Sequence, residues 1–353
     1  QFLLSIWKKL FNNSHIGLDD DFFALGGHSL LAVDMMLQIE KETHIRLPLA
    51  SLFKYPTIRA LSNIIAKGGK EEDAWSSLVP IKTGGSMNPL FIIHGAGLNI
   101  FLFNTLAGHM DANQPVYGLQ AKGLNGTDEP LKTVYDMAAY YISEIRKVKP
   151  TGPYNLAGFS LGGIIAFEMA LQLIKSGDSV SFLGLFDTVA FTSSRYFSKA
   201  KRVKRSLIEL GGVPVFNCMQ FCKNPKRTWY DKSKKYRDKL LRLYWTLKGD
   251  KVSVTKEGLP LYALNVRRAS DQAAENYHLG YFPGTIDLFR ALGRSFFVHD
   301  PKYLDWEQHC RTVVAHDIPG DHSRIFAPPN DSYFAASLQK RLRQIEENSQ
   351  TTS

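Results

Sequence analysis

The sequence predicts an all-α domain of four helices over residues 1–66, followed by an α/β domain with a mostly parallel sheet over residues 79–347. Three observations support this prediction. The chain has 353 residues, more than one small domain needs. Apolar residues follow a helical period in the first part, whereas strands alternate with helices in the second. Between the two parts, residues 67–78 read as a linker, because residues 67–73 contain no apolar side chain.

The first domain shows helical spacing of apolar residues in several places. Its first helix is indicated by Phe2, Leu3, Ile6, Leu10 and Phe11. Another helix begins at Ser29, and the last begins after Thr57, which is a residue type that caps helix N-termini.

The second domain alternates short apolar strands with helices, as is typical of a parallel sheet. The predicted strands are residues 89–93, 114–120, 154–157, 180–186, 286–292 and 313–318. The predicted helices are residues 134–148, 161–176 and 332–347. The alternation breaks down at about residues 190–280, which predicts a helical insertion above the sheet. The polar residues 348–353 predict a disordered tail.

Composition and charge exclude several functions. Sixteen Lys and Arg face four acidic residues in residues 191–250, so the net charge of +10 lies mainly there and does not indicate a nucleic-acid-binding domain. No apolar run approaches the roughly 18 residues of a membrane span. The three cysteines have neither metal-ligand spacing nor the number for a disulfide framework, which predicts no metal site and a cytoplasmic location. The start lacks Met and a signal peptide, so we expect a fragment of a longer polypeptide.

A serine preceded by two glycines and a histidine marks the first candidate site. The segment reads Asp21-Phe22-Phe23-Ala24-Leu25-Gly26-Gly27-His28-Ser29-Leu30. A serine directly before an apolar helix can be merely its N-cap. The two glycines, however, leave the Ser29 hydroxyl open to a partner enzyme. A phosphate at this place would also be stabilised by the free N–H groups and the dipole of the helix.

This motif is similar to the core motif of peptidyl carrier domains from non-ribosomal peptide synthetases, and the similarity covers nearly all of residues 1–66. The resemblance implies that Ser29 carries a covalently attached 4′-phosphopantetheine arm, which a phosphopantetheinyl transferase adds. It also implies that upstream condensation and adenylation domains of the same assembly line are partners. The role of His28 stays open between packing and contact with those partners.

A second serine lies between two glycines, in Gly158-Phe159-Ser160-Leu161-Gly162. The segment follows a predicted strand and opens a predicted helix, which is the context of a nucleophile elbow. A serine nucleophile needs a base to take its proton and an acid to orient that base. His322 follows the last strand and Asp187 ends the strand after the elbow, so both are expected at the same sheet edge as Ser160. An aspartate after a buried strand can also be a helix cap.

An oxyanion hole needs two backbone N–H groups that point at the developing charge. Leu161, the residue after the nucleophile, supplies one of them. Ala96 is predicted to supply the second N–H group, because it lies in the glycine-rich loop after the first predicted strand. His94 in that loop is expected to shape it rather than to act as the base. His316 falls inside a strand and is expected to be structural.

Residues 80–345 resemble the type I thioesterase domains that end non-ribosomal peptide and polyketide synthases, which have the α/β-hydrolase fold. The resemblance implies Ser160 as the acylated nucleophile, His322 as the general base and Asp187 as its partner. An acid after the strand that follows the elbow is itself a feature of these thioesterases. The insertion would be their lid over the acyl pocket. Its basic character departs from the family and leaves three explanations open: domain docking, an acidic substrate or a solvated helix face.

Together the resemblances imply release of an acyl or peptidyl chain from a phosphopantetheine thioester through an acyl-serine intermediate. Hydrolysis or macrocyclisation would complete the release, within a secondary-metabolism pathway such as antibiotic biosynthesis. The alternatives are an editing thioesterase that removes wrong acyl groups and a non-catalytic carrier and docking scaffold. The fused carrier domain argues against the first alternative. The set of Ser160, Asp187 and His322 argues against the second.

Overall fold

The computed structural model describes residues 1–69, 76–190, 261–293 and 298–350. The helices are α1 (Phe2–Phe11), α2 (Ser29–Thr43), α3 (Ser51–Lys54), α4 (Ile58–Ala66), α5 (Leu102–Gly108), α6 (Val134–Ile145), α7 (Leu161–Lys175), α8 (Leu261–Asn276) and α9 (Asn330–Gln350). The strands are β1 (Leu78–Lys82), β2 (Leu90–Ile93), β3 (Val116–Leu119), β4 (Tyr154–Phe159), β5 (Val180–Phe186), β6 (Phe282–Gly293) and β7 (Cys310–Asp321). The predicted fold class, four helices followed by an α/β domain, is confirmed.

The helical domain is built around buried aromatic side chains from α1 and from the loop between α1 and α2. Trp7 and Phe22 are fully buried and meet edge to face, with ring centroids 5.6 Å apart. The backbone N–H of Phe22 donates to the Pro56 carbonyl at 2.7 Å. Thr57 caps α4 as predicted, since its side chain accepts an N–H from the first turn of that helix. The segment that leads to Ser29 is therefore held against the start of α4.

The α/β domain has one seven-stranded sheet in the order β1-β3-β2-β4-β5-β6-β7. β1 pairs antiparallel with β3, and the other neighbouring pairs are parallel. The central strand β4 is buried along its whole length. Because parallel strands end at the same edge, the turns after β2, β4, β5 and β7 all meet at the carboxyl edge of the sheet.

Helices cover both faces of the sheet. On one face, α6 and α7 pack in a core with side chains of β4 and β6. On the other face, α5 and α9 pack with residues of β2 and β6. Tyr277, just after α8, donates its hydroxyl to the buried carboxylate of Glu168 on α7. The chain after α8 is thereby tied to α7.

Several elements differ from the sequence prediction in existence or length. β1 was not predicted, because Pro80 interrupts its pattern and its place at the sheet edge tolerates a proline. It begins at Leu78, the last residue of the predicted linker. α5 was not predicted because it has only seven residues. β6 and β7 are both longer than predicted. Polar residues, glycine and proline interrupt the apolar pattern near their ends, so the apolar run marks only the middle of each strand.

The predicted disordered tail over residues 348–353 is wrong for its first part. α9 continues to Gln350, because no glycine or proline stops it and an exposed last turn needs no apolar residue. Within the predicted lid at residues 190–280, α8 is helical, whereas residues 191–260 lie outside the described part of the chain, as do residues 351–353. Among the described residues, no helix is both long and apolar enough to cross a membrane.

Candidate active site

The turn between β4 and α7 holds Ser160 in a strained backbone conformation. Its φ of 53° and ψ of −116° lie where residues other than glycine are rarely found. The flanking glycines permit this turn. A Cβ on Gly158 would stand 2.1 Å from the Gly162 carbonyl oxygen, and one on Gly162 would stand 2.3 Å from the His94 carbonyl oxygen. The Ser160 N–H donates to the Phe186 carbonyl at 3.0 Å, which fixes the turn against β5.

An aspartate and a histidine from two other turns are in contact at the same sheet edge. Asp187 directly follows β5 and is 2% exposed, and its Oδ1 accepts the N–H of Ala291 at 2.9 Å. Its Oδ2 lies 2.7 Å from Nδ1 of His322. Because a carboxylate only accepts, Nδ1 carries the proton and a neutral imidazole keeps its lone pair on Nε2. The imidazole stacks on Phe159, with ring centroids 4.7 Å apart, next to Ser160.

Thr188 joins the turn after β5 to the serine turn, a role that the sequence analysis missed. Its hydroxyl lies 3.1 Å from the Ser160 carbonyl oxygen, to which it donates. Its own carbonyl accepts the indole N–H of Trp306 at 2.7 Å. Two residues later, the Ala190 N–H donates to the Leu304 carbonyl. No sequence pattern marks Thr188, because its partners are backbone groups of distant segments and a buried indole.

The loop after β2 is fixed by a fully buried histidine. His94 Nδ1 lies 2.8 Å from the Gly95 carbonyl oxygen, and its Nε2 lies 2.9 Å from the Tyr141 hydroxyl. Since a carbonyl only accepts, Nδ1 donates to Gly95 and Nε2 accepts from Tyr141. The same carbonyl accepts the Leu98 N–H at 2.9 Å. Carbonyl and N–H of a trans peptide point in opposite directions, so holding the Gly95 oxygen also sets the direction of the Ala96 N–H.

This loop is in direct contact with the serine turn. A Cβ added to Gly95 would stand 2.7 Å from the Phe159 ring. Leu161 is the first residue of α7, so its N–H is one of the first-turn donors that the helix itself cannot satisfy. The two predicted oxyanion donors, Ala96 and Leu161, therefore belong to segments that border Ser160.

Burial of His94 predicts a specific pH dependence of stability. Loss of solvation lowers the pKa of His94 from 6.5 to about 4. Between these values the unfolded chain binds a proton that the folded chain does not, so stability falls as the pH drops from 6.5 to 4. The linkage amounts to about 3 kcal/mol. We expect urea unfolding to show that the free energy of unfolding falls between pH 7 and pH 4 in the native chain. In His94→Asn this fall should be smaller by about 3 kcal/mol. Equal losses in both proteins would contradict this assignment.

His316 lies in β7 and makes a separate ion-pair cluster. Its Nε2 donates to Asp287 Oδ1 at 2.8 Å, and its ring stacks on Phe289 at 4.4 Å. Arg341 on α9 donates to the same oxygen at 2.7 Å. Asp287 is 1% exposed and lies in the middle of β6, so the cluster fastens α9 to the sheet. Among the described residues, no group of three or more His, Cys, Asp or Glu could hold a metal ion.

The first candidate site lies at the N-terminus of α2, which begins at Ser29. His28 occupies the N-cap position in an extended conformation, and its side chain makes no capping bond to the helix. Gly26 has a φ of 89°, and a Cβ on Gly27 would stand 2.3 Å from the ring of Phe22. The two glycines are thus required by the turn. A phosphate ester at Ser29 fits this place, because the first N–H groups of α2 are not capped by His28.

Comparisons with known proteins match each part of the chain to a family. Residues 88–335 match the thioesterase domain family, and residues 1–65 match the phosphopantetheine attachment site family. Malpinin synthetase of Mortierella alpina is 41% identical over 53% of this chain and 2% of its own length. Chondramide synthase of Chondromyces crocatus is 27% identical over 97% of this chain and 9% of its own length. The chain thus spans a small part of these relatives.

A solved structure covers nearly the whole chain. It is a four-domain nonribosomal peptide synthetase in its holo form, bound to AMP and glycine. It matches 96% of this chain and 26% of its own, with 26% sequence identity and a TM-score of 0.59. The matched thioesterase region includes more than half of the residues. The chain therefore belongs to the thioesterase family and carries a phosphopantetheine attachment domain ahead of its thioesterase domain.

Proposed function

We propose that this chain releases an acyl or peptidyl chain from a pantetheine thioester through an ester on Ser160. Ser160 is the nucleophile, His322 the general base and Asp187 the acid that orients it. The observation that carries this proposal is the 2.7 Å contact between His322 Nδ1 and Asp187 Oδ2, with the imidazole stacked on Phe159, the residue before Ser160. These three residues are far apart in sequence but lie at one sheet edge. Chance is a poor explanation for this arrangement.

The carrier domain would hold the substrate at Ser29. A 4′-phosphopantetheine group bound there supplies a flexible arm with a terminal thiol that carries the acyl group as a thioester. The chain's own contribution is the open N-terminus of α2, which accommodates the phosphate, and the glycine pair before it.

The first half of the reaction forms the ester on the enzyme. His322 Nε2 takes the proton of the Ser160 hydroxyl as Oγ attacks the thioester carbonyl. Negative charge develops on the carbonyl oxygen, and the N–H groups of Ala96 and Leu161 stabilise it. The C–S bond then breaks, and the imidazolium returns its proton to the leaving thiolate. The acyl group is left as an ester on Ser160.

The second half frees the product. His322 takes a proton from water, or from a hydroxyl or amine of the bound chain, as that group attacks the ester carbonyl. The Ser160 oxygen leaves and receives the proton from the imidazolium. Water gives a free acid, whereas an internal nucleophile gives a lactone or a lactam, so the same residues serve hydrolysis and macrocyclisation.

The partners follow from the same assignment. A phosphopantetheinyl transferase would modify Ser29, and upstream condensation and adenylation domains would supply the substrate. A reducing cytoplasm suits this thiol chemistry, because the arm must keep its sulfur free to carry acyl groups. The relatives span far more sequence than this chain, which agrees with such additional domains.

Covalent labelling tests the nucleophile directly. We expect a fluorophosphonate to modify the native chain once, and peptide mapping by mass spectrometry to place the adduct on Ser160. His322→Ala should slow the labelling, because the hydroxyl would have no base. Ser323→Ala is a matched control, since this exposed serine is next to the base, and should label at the native rate. Absence of an adduct at Ser160 would instead favour a non-catalytic scaffold.

A further inference from the structure

Three phenylalanine rings from separate segments form one cluster between the two domains. Phe23 and Phe53 belong to the carrier domain, and Phe101 belongs to the thioesterase domain, just before α5. The ring centroids are 4.8 Å apart for Phe23 and Phe53, 5.7 Å for Phe23 and Phe101, and 5.1 Å for Phe53 and Phe101. These separations are typical of favourable aromatic pairs. We call these residues the three-ring cluster.

The packing around the cluster is reciprocal. Phe101 is 7% exposed and forms part of the apolar core of the carrier domain, although the chain reaches it only after β2. In return, Ala50 and Phe53 of the carrier domain pack against the thioesterase core that contains Ile100 and Phe103. Each domain therefore contributes a side chain to the core of the other. A contact of this kind defines one arrangement of the two domains while the carrier is docked.

The cluster also joins the segments that carry the two proposed sites. Phe23 belongs to the motif that ends at Ser29. Phe101 ends the loop that contains Ala96, and its N–H donates to the Asn99 side chain at 3.2 Å. Within the same loop, the Leu98 N–H donates to the Gly95 carbonyl. The contact thus places the arm-bearing segment beside the loop of a proposed oxyanion donor.

We propose that the three-ring cluster is the docking surface through which the carrier domain presents its arm to the thioesterase, and that docking steadies the loop of residues 94–101. This inference rests on the function proposed above and names the surface that serves it. Phe101 is then a positioning residue, because it acts through the loop and does not touch the reacting atoms.

The small area of this contact suits a carrier domain that docks and is released repeatedly. Three aromatic side chains bury roughly 600 Å² together, whereas a stable protein interface needs roughly 1,200 Å² or more. Docking through this surface alone is therefore weak. The linker compensates, because a short tether keeps the carrier near its partner at an effective concentration on the order of millimolar. The carrier can release and return without dissociating from the chain.

Hydrogen exchange on the full chain without its arm tests the docking itself. We expect Phe53→Ala to increase exchange in two separate peptides, one around residues 50–54 and one around residues 98–104. Phe101→Ala should do the same from the other domain. Leu18→Ala is the matched control, since it removes an exposed apolar side chain from the carrier surface and should leave residues 98–104 unchanged. Changes confined to the mutated domain would overturn the proposal.

Kinetics on the same proteins test the consequence for release. The chain is loaded at Ser29 with an octanoyl-pantetheinyl arm, and loss of the octanoyl group in a single turnover is followed by mass spectrometry. Hydrolysis of octanoyl-N-acetylcysteamine, a soluble thioester, is measured in parallel. We expect the ratio of the two rates to fall about tenfold in either variant, equivalent to about 1.4 kcal/mol. The Leu18→Ala control should keep the native ratio.

A double variant separates docking from damage to one domain. If Phe53 and Phe101 act through their contact, Phe53→Ala/Phe101→Ala should lower the ratio no further than either single change. Additive losses, or an unchanged ratio in the single variants, would overturn the proposal. Failure of the native chain to hydrolyse either thioester would instead refute the proposed function, and the exchange result would still report on docking.

Discussion

Replacing Ser160 by alanine is expected to lower the rate of chain release by about 10⁶-fold, because the proposed mechanism has no other nucleophile. Alanine fits the strained turn as well as serine does, so the fold should be kept. The measurement is mass spectrometry of the loaded chain, in which the acyl group should persist as a thioester on Ser29.

Ser323→Ala provides the comparison for this experiment. It removes the hydroxyl next to His322 in sequence and should release the acyl group at the native rate. Native release by Ser160→Ala, with the thioester lost from Ser29 at the usual speed, would show that the proposed acyl-serine pathway is wrong.

Asp187→Asn is expected to lower turnover by about 10⁴-fold while leaving the chain folded. The carboxylate accepts from both Ala291 N–H and His322 Nδ1. An amide in its place presents an N–H₂ group to one of these donors, so the imidazole is driven toward the tautomer that has its proton on Nε2. That tautomer cannot take the proton of Ser160. The measurement is hydrolysis of a soluble thioester, which reports on this step without the carrier.

Asp287→Asn is the matched control, because the same change is made at a buried aspartate that also pairs with a histidine. It removes the negative charge that pairs with Arg341 and His316 and leaves the Arg341 cation without its buried anionic partner, so we expect a loss of about 3 kcal/mol in the free energy of unfolding. The rate per folded molecule should stay near native. Equal rate losses in both variants would mean that position 187 acts through stability and not through the base.

Much of the architecture could be predicted because it follows periodicity and chain order. The alternation of strands and helices indicates a parallel sheet, and such a sheet brings the ends of β4, β5 and β7 to one edge. This reasoning alone placed Asp187 and His322 near each other, and the structure has them in contact. Their catalytic roles stay predictions. The length of α9 was misjudged because exposed polar turns carry no periodic signal.

The missed features depend on contacts between distant segments. Thr188 bonds to a backbone carbonyl, and such a partner leaves no trace in a residue pattern. Phe101 looks like any apolar residue before a short helix, yet it packs into the core of a different domain. Whether Pro80 can lie in a strand likewise depends on the position of that strand, which is at the edge of the sheet beside β3. Local propensity cannot supply this information, because the decisive partner is far away in sequence.

The anchoring of the chain on both sides of residues 191–260 has a consequence for engineering. Before this segment, Thr188 and Ala190 are bonded to the serine turn and to Leu304. After it, Tyr277 is bonded to Glu168. Each anchor uses partners from outside the segment. A chimera that receives this stretch from another thioesterase is therefore expected to keep the native turn after β5 and the native attachment of Tyr277 to α7.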